Sequence, residues 1–334
     1  MASGSVGYAQ GMVADQTQML QAVVDGLAVY NQSVNPLIND LSFRDVREVM
    51  RIAQAPIQFR RSADGGSPES QRQSYRLISV PLEGFESGVM WTIEGLQDAK
   101  PGEFQQTFDA VMAGASERED AEFFRTLFTS QTAGSVGTAY RASWYNGETD
   151  VPNYKNNSHF GSAHTHFAGI NTTTLALSHV TAAAAHIRHH GYGLGPNSLL
   201  AFFNTDAAAT IEGLLNISVA SSLTTPERIK AQDQGAYGSG IRYAGIEFVF
   251  DDNVPSGYFA VVDRSLAPIA KRVHYDPSAQ GLKMYQESFN EKYPLAGSYF
   301  KDRYGFVVAH LGAGVARQIV ATTTYTNPTF RLTN

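Results

Sequence analysis

Downstream of Pro101 the segment Glu103 to Thr129 has the composition and spacing of one continuous helix, and no other feature constrains the fold as much. At ~1.5 Å per residue it would be about 40 Å long, and a proline just ahead of it costs a helix nothing because the first N–H groups have no partner anyway. Its apolar residues do not form one stripe. Phe104, Phe108, Val111 and Ala115 share a face, whereas beyond the polar run Ser116–Asp120 the residues Ala121, Phe124 and Phe128 fall almost opposite. Such a helix needs different packing partners at its two ends, and the rest of the chain must supply both.

The chain has material for this. Of its 334 residues 43% are hydrophobic, enough for a sizeable core, and only 17% are charged. Gly, Ser, Thr, Asn and Gln are abundant, which suits a surface that meets other protein surfaces as much as water. A formal net charge of -6 with no cluster of Lys and Arg argues against a protein that coats nucleic acid by neutralising phosphates. The absence of cysteine excludes disulfides, thiolate zinc sites and cysteine nucleophiles. The first basic residue is Arg44, so the start lacks the positive region of a secretory signal, and no uncharged apolar run approaches the ~20 residues that span a bilayer. The expectation is a protein made and kept in the cytosol, with no membrane partner.

Residues 1 to 50 carry Asp15, Asp25 and Asp40 before any base and only small apolar patches, so this arm must lie on something else. Residues 55–97 read as a long two-stranded excursion in which Ser74–Val80 and Val89–Ile93 flank an acidic turn, Leu82–Gly88. Arg60, Arg61, Arg72 and Arg76 lie on its proximal strands and Glu83, Glu86 and Glu94 around the turn. A hairpin carrying Phe85, Val89, Met90 and Trp91 cannot bury them alone. Arg60, Arg61, Arg72, Arg76, Glu83, Phe85, Glu86 and Trp91 are therefore the candidate contacts between subunits. Further on, Gln131–Asn171 reads as an extended loop region, and a second helix starts near Thr173. A strand at Ser198–Phe203 and a short helix at Asp206–Leu215 follow. The remainder is mainly β: Ile246–Phe250 and Tyr258–Val262 flank a Pro-Gly turn as a hairpin would, and Tyr304–Val308 and Val315–Val320 flank Gly312–Gly314.

Chemistry is sparse. His186 and His190 stand at i and i+4 as in zinc-binding helices, but Ile187 occupies the place of the general-base Glu and no carboxylate lies between Thr173 and Gly191. The plainer reading is a helix C-terminus decorated with cationic groups, Arg188 to His190, before the glycine stop. His159, His164 and His166 lie just upstream in a Gly/Asn/Thr-rich segment, weak evidence for ligation by itself. The Gly-rich runs at 191–196 and 235–240 read as turns; the first follows a helix and lacks a Lys-Ser/Thr end, so neither is taken as a phosphate loop. No Gly-x-Ser-x-Gly elbow is present. The sequence thus assigns no catalytic residue, no cofactor and no metal ligand.

His164-Thr-His166, His189-His-Gly-Tyr-Gly193, Val254-Pro-Ser-Gly-Tyr258, Gly281-Leu-Lys-Met284, Tyr293-Pro-Leu295 and Arg303-Tyr-Gly305 occur in an order that resembles the major capsid proteins of tailed bacteriophages. Their fold is named after phage Hong Kong 97 and shared by encapsulins, and the resembling group is found in phages of actinobacteria and their relatives. The resemblance implies an α+β capsid fold with an N-terminal arm over 1–54 and an extended loop over 55–98. A peripheral domain over 99–172, with its spine helix at 103–129 and a following loop region, would precede an axial domain over 173–285 and a return to the peripheral domain over 286–334. It implies self-assembly into hexamers and pentamers of an icosahedral head around double-stranded DNA, in a virion assembled in the host cytoplasm, without catalysis. Candidate partners are other copies of the chain, a scaffolding protein, a portal and a cement protein, with packaged DNA touched weakly and non-specifically. No Lys lies between 55 and 97, which excludes the Lys-Asn bond that some members form from a Lys of this loop. The first 50 residues leave little room for a fused scaffold, so a separately encoded one is expected. The alternatives are an encapsulin-like compartment and a metal-dependent enzyme using His164, His166, His186 and His190.

Overall fold

The computed structural model describes residues 18, 20–33, 35–53, 75–90, 101–131, 143–148, 151–153, 158–159, 164–215, 241–286 and 297–332. The helices are α1 (20–32), α2 (Pro36–Leu41), α3 (Pro101–Phe128), α4 (Leu177–Arg188) and α5 (Ala208–Leu214). The first strands are β1 (Ser42–Asp45), β2 (Val49–Ala53), β3 (Tyr75–Ser79), β4 (Glu83–Met90) and β5 (Asn146–Glu148). Next come β6 (Pro152–Asn153), β7 (Ser158–His159), β8 (His164–Thr165), β9 (Phe167–Gly169), β10 (Leu199–Phe203), β11 (Arg242–Tyr243) and β12 (Ile246–Phe250). The last are β13 (Tyr258–Asp263), β14 (Ile269–Val273), β15 (Lys283–Gln286), β16 (Gly297–Val308) and β17 (Gly314–Gln318). Contacts divide the chain into two units, residues 1–35, 82–120 and 272–305 in one and 36–81, 121–271 and 306–334 in the other.

In the first unit β16 pairs antiparallel with β4, from Gly297 opposite Met90 to Tyr304 opposite Glu83, and with β15, from Lys283 opposite Lys301 to Gln286 opposite Ser298. The arm does lie on something else. Val23 and Leu27, one turn apart on α1, pack with Phe108 of α3, Leu282 and Phe300, and the Phe108 and Phe300 rings meet edge-on at 5.6 Å. Asn31 fastens the end of α1: its amide donates to the Leu282 carbonyl at 3.0 Å and accepts from the Leu282 N–H at 2.8 Å. Gly281 beside it holds φ +75°, and any Cβ there would strike the Asn31 side chain.

The two-stranded excursion is not formed as the sequence suggested. β3 pairs with β2 (Val49 opposite Ser79, Ala53 opposite Tyr75) and β4 pairs with β16, so Leu82–Gly88 is largely strand and not turn. The turn-like letters Glu, Gly and Ser hide an alternation broken only at exposed Ser87: Glu83, Phe85 and Val89 are half-buried while Gly84, Glu86 and Gly88 are exposed.

The second unit is built on a six-stranded sheet of order β11-β12-β10-β13-β17-β9. Every residue of β10 is 0% exposed, which is why Leu-Leu-Ala-Phe-Phe is apolar throughout and not alternating. Leu199, Ala201 and Phe203 face the helix side, where Val180, Ala183, Ala184 and Ile187 of α4 cover them, while the Phe202 ring meets Phe124 of α3 at 5.9 Å. β10 runs parallel to β12 and antiparallel to β13, so the expected hairpin of Ile246–Phe250 with Tyr258–Val262 is a correction: β10 lies between its two arms. β17 likewise pairs with β13 and β9, not with β16, across the Gly312–Gly314 turn. A short Gly-rich connection fits strands that part as well as strands that pair. The sheet also crosses the expected limits at 172/173 and 285/286, since β9 and β17 belong to it.

Both stripes of α3 are occupied. Phe108, Val111, Met112 and Ala115 join the cluster of the first unit, and Phe123, Phe124, Leu127 and Phe128 are buried in the second, where Phe123 meets Phe306 edge-on at 5.7 Å. The expected loop region holds short strands and a core residue: Trp144 is 1% exposed and its Nε1–H donates to the Leu127 carbonyl at 2.9 Å. That ring lies against the backbone of Gly314, where a Cβ would run into it. Gly314→Ala is expected to destabilise the dissociated subunit by about 1–3 kcal/mol through overpacking, measured by denaturant unfolding. Gly88→Ala, with nothing within 4 Å of the added Cβ, should leave it unchanged.

Candidate functional site

The residues singled out for subunit contact are placed unevenly. Arg60, Arg61, Arg72 and Trp91 lie outside the described residues, and Arg76 stands on β3 opposite Ile52 of β2. Glu83, Phe85 and Glu86 follow one another along β4 opposite Tyr304, Asp302 and Lys301. Half-buried Phe85 also has partners in its own unit. Its ring is 4.7 Å from Tyr304 and the Arg118 guanidinium lies 5.1 Å over it, all within one unit. Glu86 is exposed and reaches Lys301 at 3.6 Å. Among the described residues of β4, Met90 leaves apolar surface open, at 88% exposed.

The histidines converge. His164 is on β8 and His166 on the bend that follows, while His186 lies in the last turn of α4 and His190 in the turn after it. Their Nε2 atoms form a chain, His166 to His190 at 3.0 Å, His190 to His164 at 3.0 Å and His164 to His186 at 3.0 Å. One ring nitrogen from each of the four lies within 4.8 Å of all the others. Local structure sets each half. The His166 N–H donates to the Tyr145 carbonyl at 2.7 Å and its carbonyl accepts from Ala316 at 3.0 Å, which fixes the bend against β17. The ring is 0% exposed, and its Nδ1 lies 2.5 Å from the Gly314 carbonyl. A carbonyl can only accept, so Nδ1 carries the proton and Nε2 offers its lone pair to the cluster.

Burial favours the neutral form of three of these imidazoles. It pushes His164 below the ordinary range, His166 well below it and His186 down to about 3, with Arg317 and the neighbouring rings acting in the same direction on His186. His186 therefore adds no charge to the helix end. Arg188 does serve that end, its Nε donating to the Gly193 carbonyl at 3.3 Å. Half-buried Arg317 borders the cluster, with Nη1 donating to the His166 carbonyl at 3.0 Å and Nη2 at 3.4 Å from His186 Nδ1; desolvation lowers it to about 10. Glu148 pulls His164 the other way. The four rings can hold a cation, and the cluster contains no carboxylate or nucleophile for acid–base or covalent catalysis.

Sequence reading also missed Asp263, which is buried and accepts from the Gly193 N–H at 2.6 Å and from the Ser265 N–H at 2.9 Å. The Asp-x-Ser spacing is the signal that was there to find.

Together, the helix packed at both ends, the strand ladder on β16 and the helix-backed mixed sheet make this the Hong Kong 97-type capsid fold. The chain is similar to a solved structure of Mycobacterium phage Patience, with a TM-score of 0.65 and 20% identity over 92% of this chain and 89% of that one. It is similar to the capsid of an empty GTA particle, at TM-score 0.52 and 12% identity over 86% and 90% of the two chains. It is also similar to the SrpI encapsulin complex from Synechococcus elongatus PCC 7942, at TM-score 0.50 and 13% identity over 90% and 91%. At such identities the shared property is the fold. No protein-family model and no curated protein matches the chain.

If Phe85 serves its own subunit, Phe85→Ala should destabilise the dissociated subunit by about 1–3 kcal/mol, read from denaturant melts. Glu86→Ala, which removes only an exposed ion pair, should leave the same melt unmoved.

Proposed function

We propose that this chain is the subunit of a capsid shell, assembling with copies of itself into hexamers and pentamers of the icosahedral head of a tailed bacteriophage around double-stranded DNA. The observation that carries this reading is the capsid fold running through 92% of the chain in its likeness to Mycobacterium phage Patience. A scaffolding protein, a portal and a cement protein are the partners such a head calls for. The role is mechanical and asks for no catalysis and no cofactor. A net charge of -6 agrees with it, because an inner wall that gripped phosphate would hinder DNA entering under force.

The β2–β3 ribbon supports a surface made for neighbours. Met50 and Ile78 on one face are 2% exposed, while Val49 and Leu77 on the other are 49% and 59% exposed. On that second face, where Ser79 and Arg51 stand opposite them, two large apolar side chains are more than its own unit covers. Shell cohesion then comes from many moderate contacts repeated by symmetry.

The likeness to the SrpI encapsulin supports a second reading, a cargo compartment with the same fold. Negative-stain electron microscopy of the expressed chain, alone and with its scaffold, tests the shell itself. Closed shells or sheets of hexamers are expected, and a chain that stays monomeric with its scaffold present would overturn both readings. DNA-filled heads in infected cells favour the phage, and specific binding of a cargo peptide favours the compartment. Leu77→Asp should cut the yield of shells severalfold on the electron-microscope grid while the dissociated subunit melts as the unaltered one does, since the side chain is exposed.

A further inference from the structure

We propose that His164, His166, His186 and His190 bind one divalent transition-metal ion of the zinc type, forming a structural clasp between the β8–β9 bend and the end of α4. This reverses the expectation of no metal, and it stands independently of the capsid reading. Four nitrogens about 2.0–2.1 Å from a tetrahedral zinc stand about 3.3–3.4 Å apart, with their ring centres about 5 Å apart. The three consecutive Nε2 separations here are 3.0 Å, and the six separations between ring centres run from 4.6 to 6.1 Å.

Hydrogen bonding among the rings accounts for this less well. Two imidazoles joined by a straight N–H···N bond of that length have centres about 5.3 Å apart. The three close pairs have centres 4.6, 4.9 and 4.8 Å apart, so their nitrogens converge on a common point instead of aiming at one another. Each nitrogen also has a single in-plane proton or lone pair, yet those of His164 and His190 each face two neighbours. A metal ion takes one lone pair from each ring and removes this conflict, at the cost of turning the His186 Nδ1–H toward Arg317 Nη2 3.4 Å away.

The donor set selects the ion. Four imidazoles, with no thiolate in the chain and no carboxylate in the cluster, suit zinc, copper or nickel and not the oxygen-seeking calcium or magnesium. Four protein ligands fill a tetrahedral shell and leave no open position, which marks a structural site and not a catalytic one. His166 has the outer partner a ligating histidine needs, its Nδ1–H held by the Gly314 carbonyl. Burial that favours the neutral forms of His164, His166 and His186 lowers the cost of displacing protons from them. Arg317 opposes the ion and Glu148 favours it, so the site should hold metal less tightly than an anionic thiolate set.

The test uses the full chain with any affinity tag removed, reloaded with zinc and dialysed. Elemental analysis is expected to find about one zinc per chain, and X-ray absorption four nitrogen neighbours at about 2.0 Å. Cobalt loading should give the intense visible bands of a tetrahedral ion. His190→Ala should lower the metal content by about tenfold or more, whereas His189→Ala, outside the ligand set, should retain it. Chelation should lower the melting temperature of the unaltered chain. Because the cobalt and X-ray measurements need no variant, a failure of His190→Ala to fold leaves the test intact. Zinc below about a tenth of an ion per chain, or only the weak spectrum of octahedral cobalt, would overturn the proposal.

Discussion

The backbone of Gly314 is where the second unit is held together. Its carbonyl fixes the tautomer of His166, its Cα leaves the only room the Trp144 ring has, and its place in β17 opposite Val262 ties both to the sheet. Trp144 in turn reaches the carbonyl of Leu127 on α3. One residue without a side chain thus links a buried indole, a buried imidazole and two strands. Had the position carried a Cβ, the indole and the strand could not both keep their places, and the histidine would lose the acceptor that orients it.

The elements were far more legible than their neighbours in space. The long helix was readable because Pro101 opens it and because Phe108 and Phe124 announce two different faces, and both faces are in fact used. Strand β10 was readable as an uninterrupted apolar run. What could not be read was pairing. A hairpin is the default for two strands joined by a turn, and nothing in Ile246–Tyr258 says that β10, some forty residues earlier, takes the place between them. The same default turned Leu82–Gly88 into a turn, because glycine and glutamate spelled an alternation that is normally spelled with valine and threonine.

The candidate contact residues show a related limit. Composition tells that Phe85 must be covered but not by what, and Tyr304 and Arg118 of the same unit reach it first. Exposure, not hydrophobicity, separates apolar surface open to a partner from core, and on β2, β3 and β4 the large apolar side chains left exposed include Val49, Leu77 and Met90.

Each half of the histidine cluster was visible: His-x-His puts two rings on one side of an extended segment, and i, i+4 spacing puts two on one face of a helix. That the two halves face one another depends on β9 running parallel to β17, a register no local pattern encodes. The consequence is physical. Among the described residues between 143 and 169 the strands β5 to β9 are only two or three residues long, and a chain without cysteine cannot staple such strands with sulfur. Four converging imidazoles, His166 fully buried and the other three half-buried, have met much of the entropic and desolvation cost of ligation through the fold itself. An ion entering there has little left to organise, which is the condition under which even an uncharged ligand set beside an arginine can hold a metal.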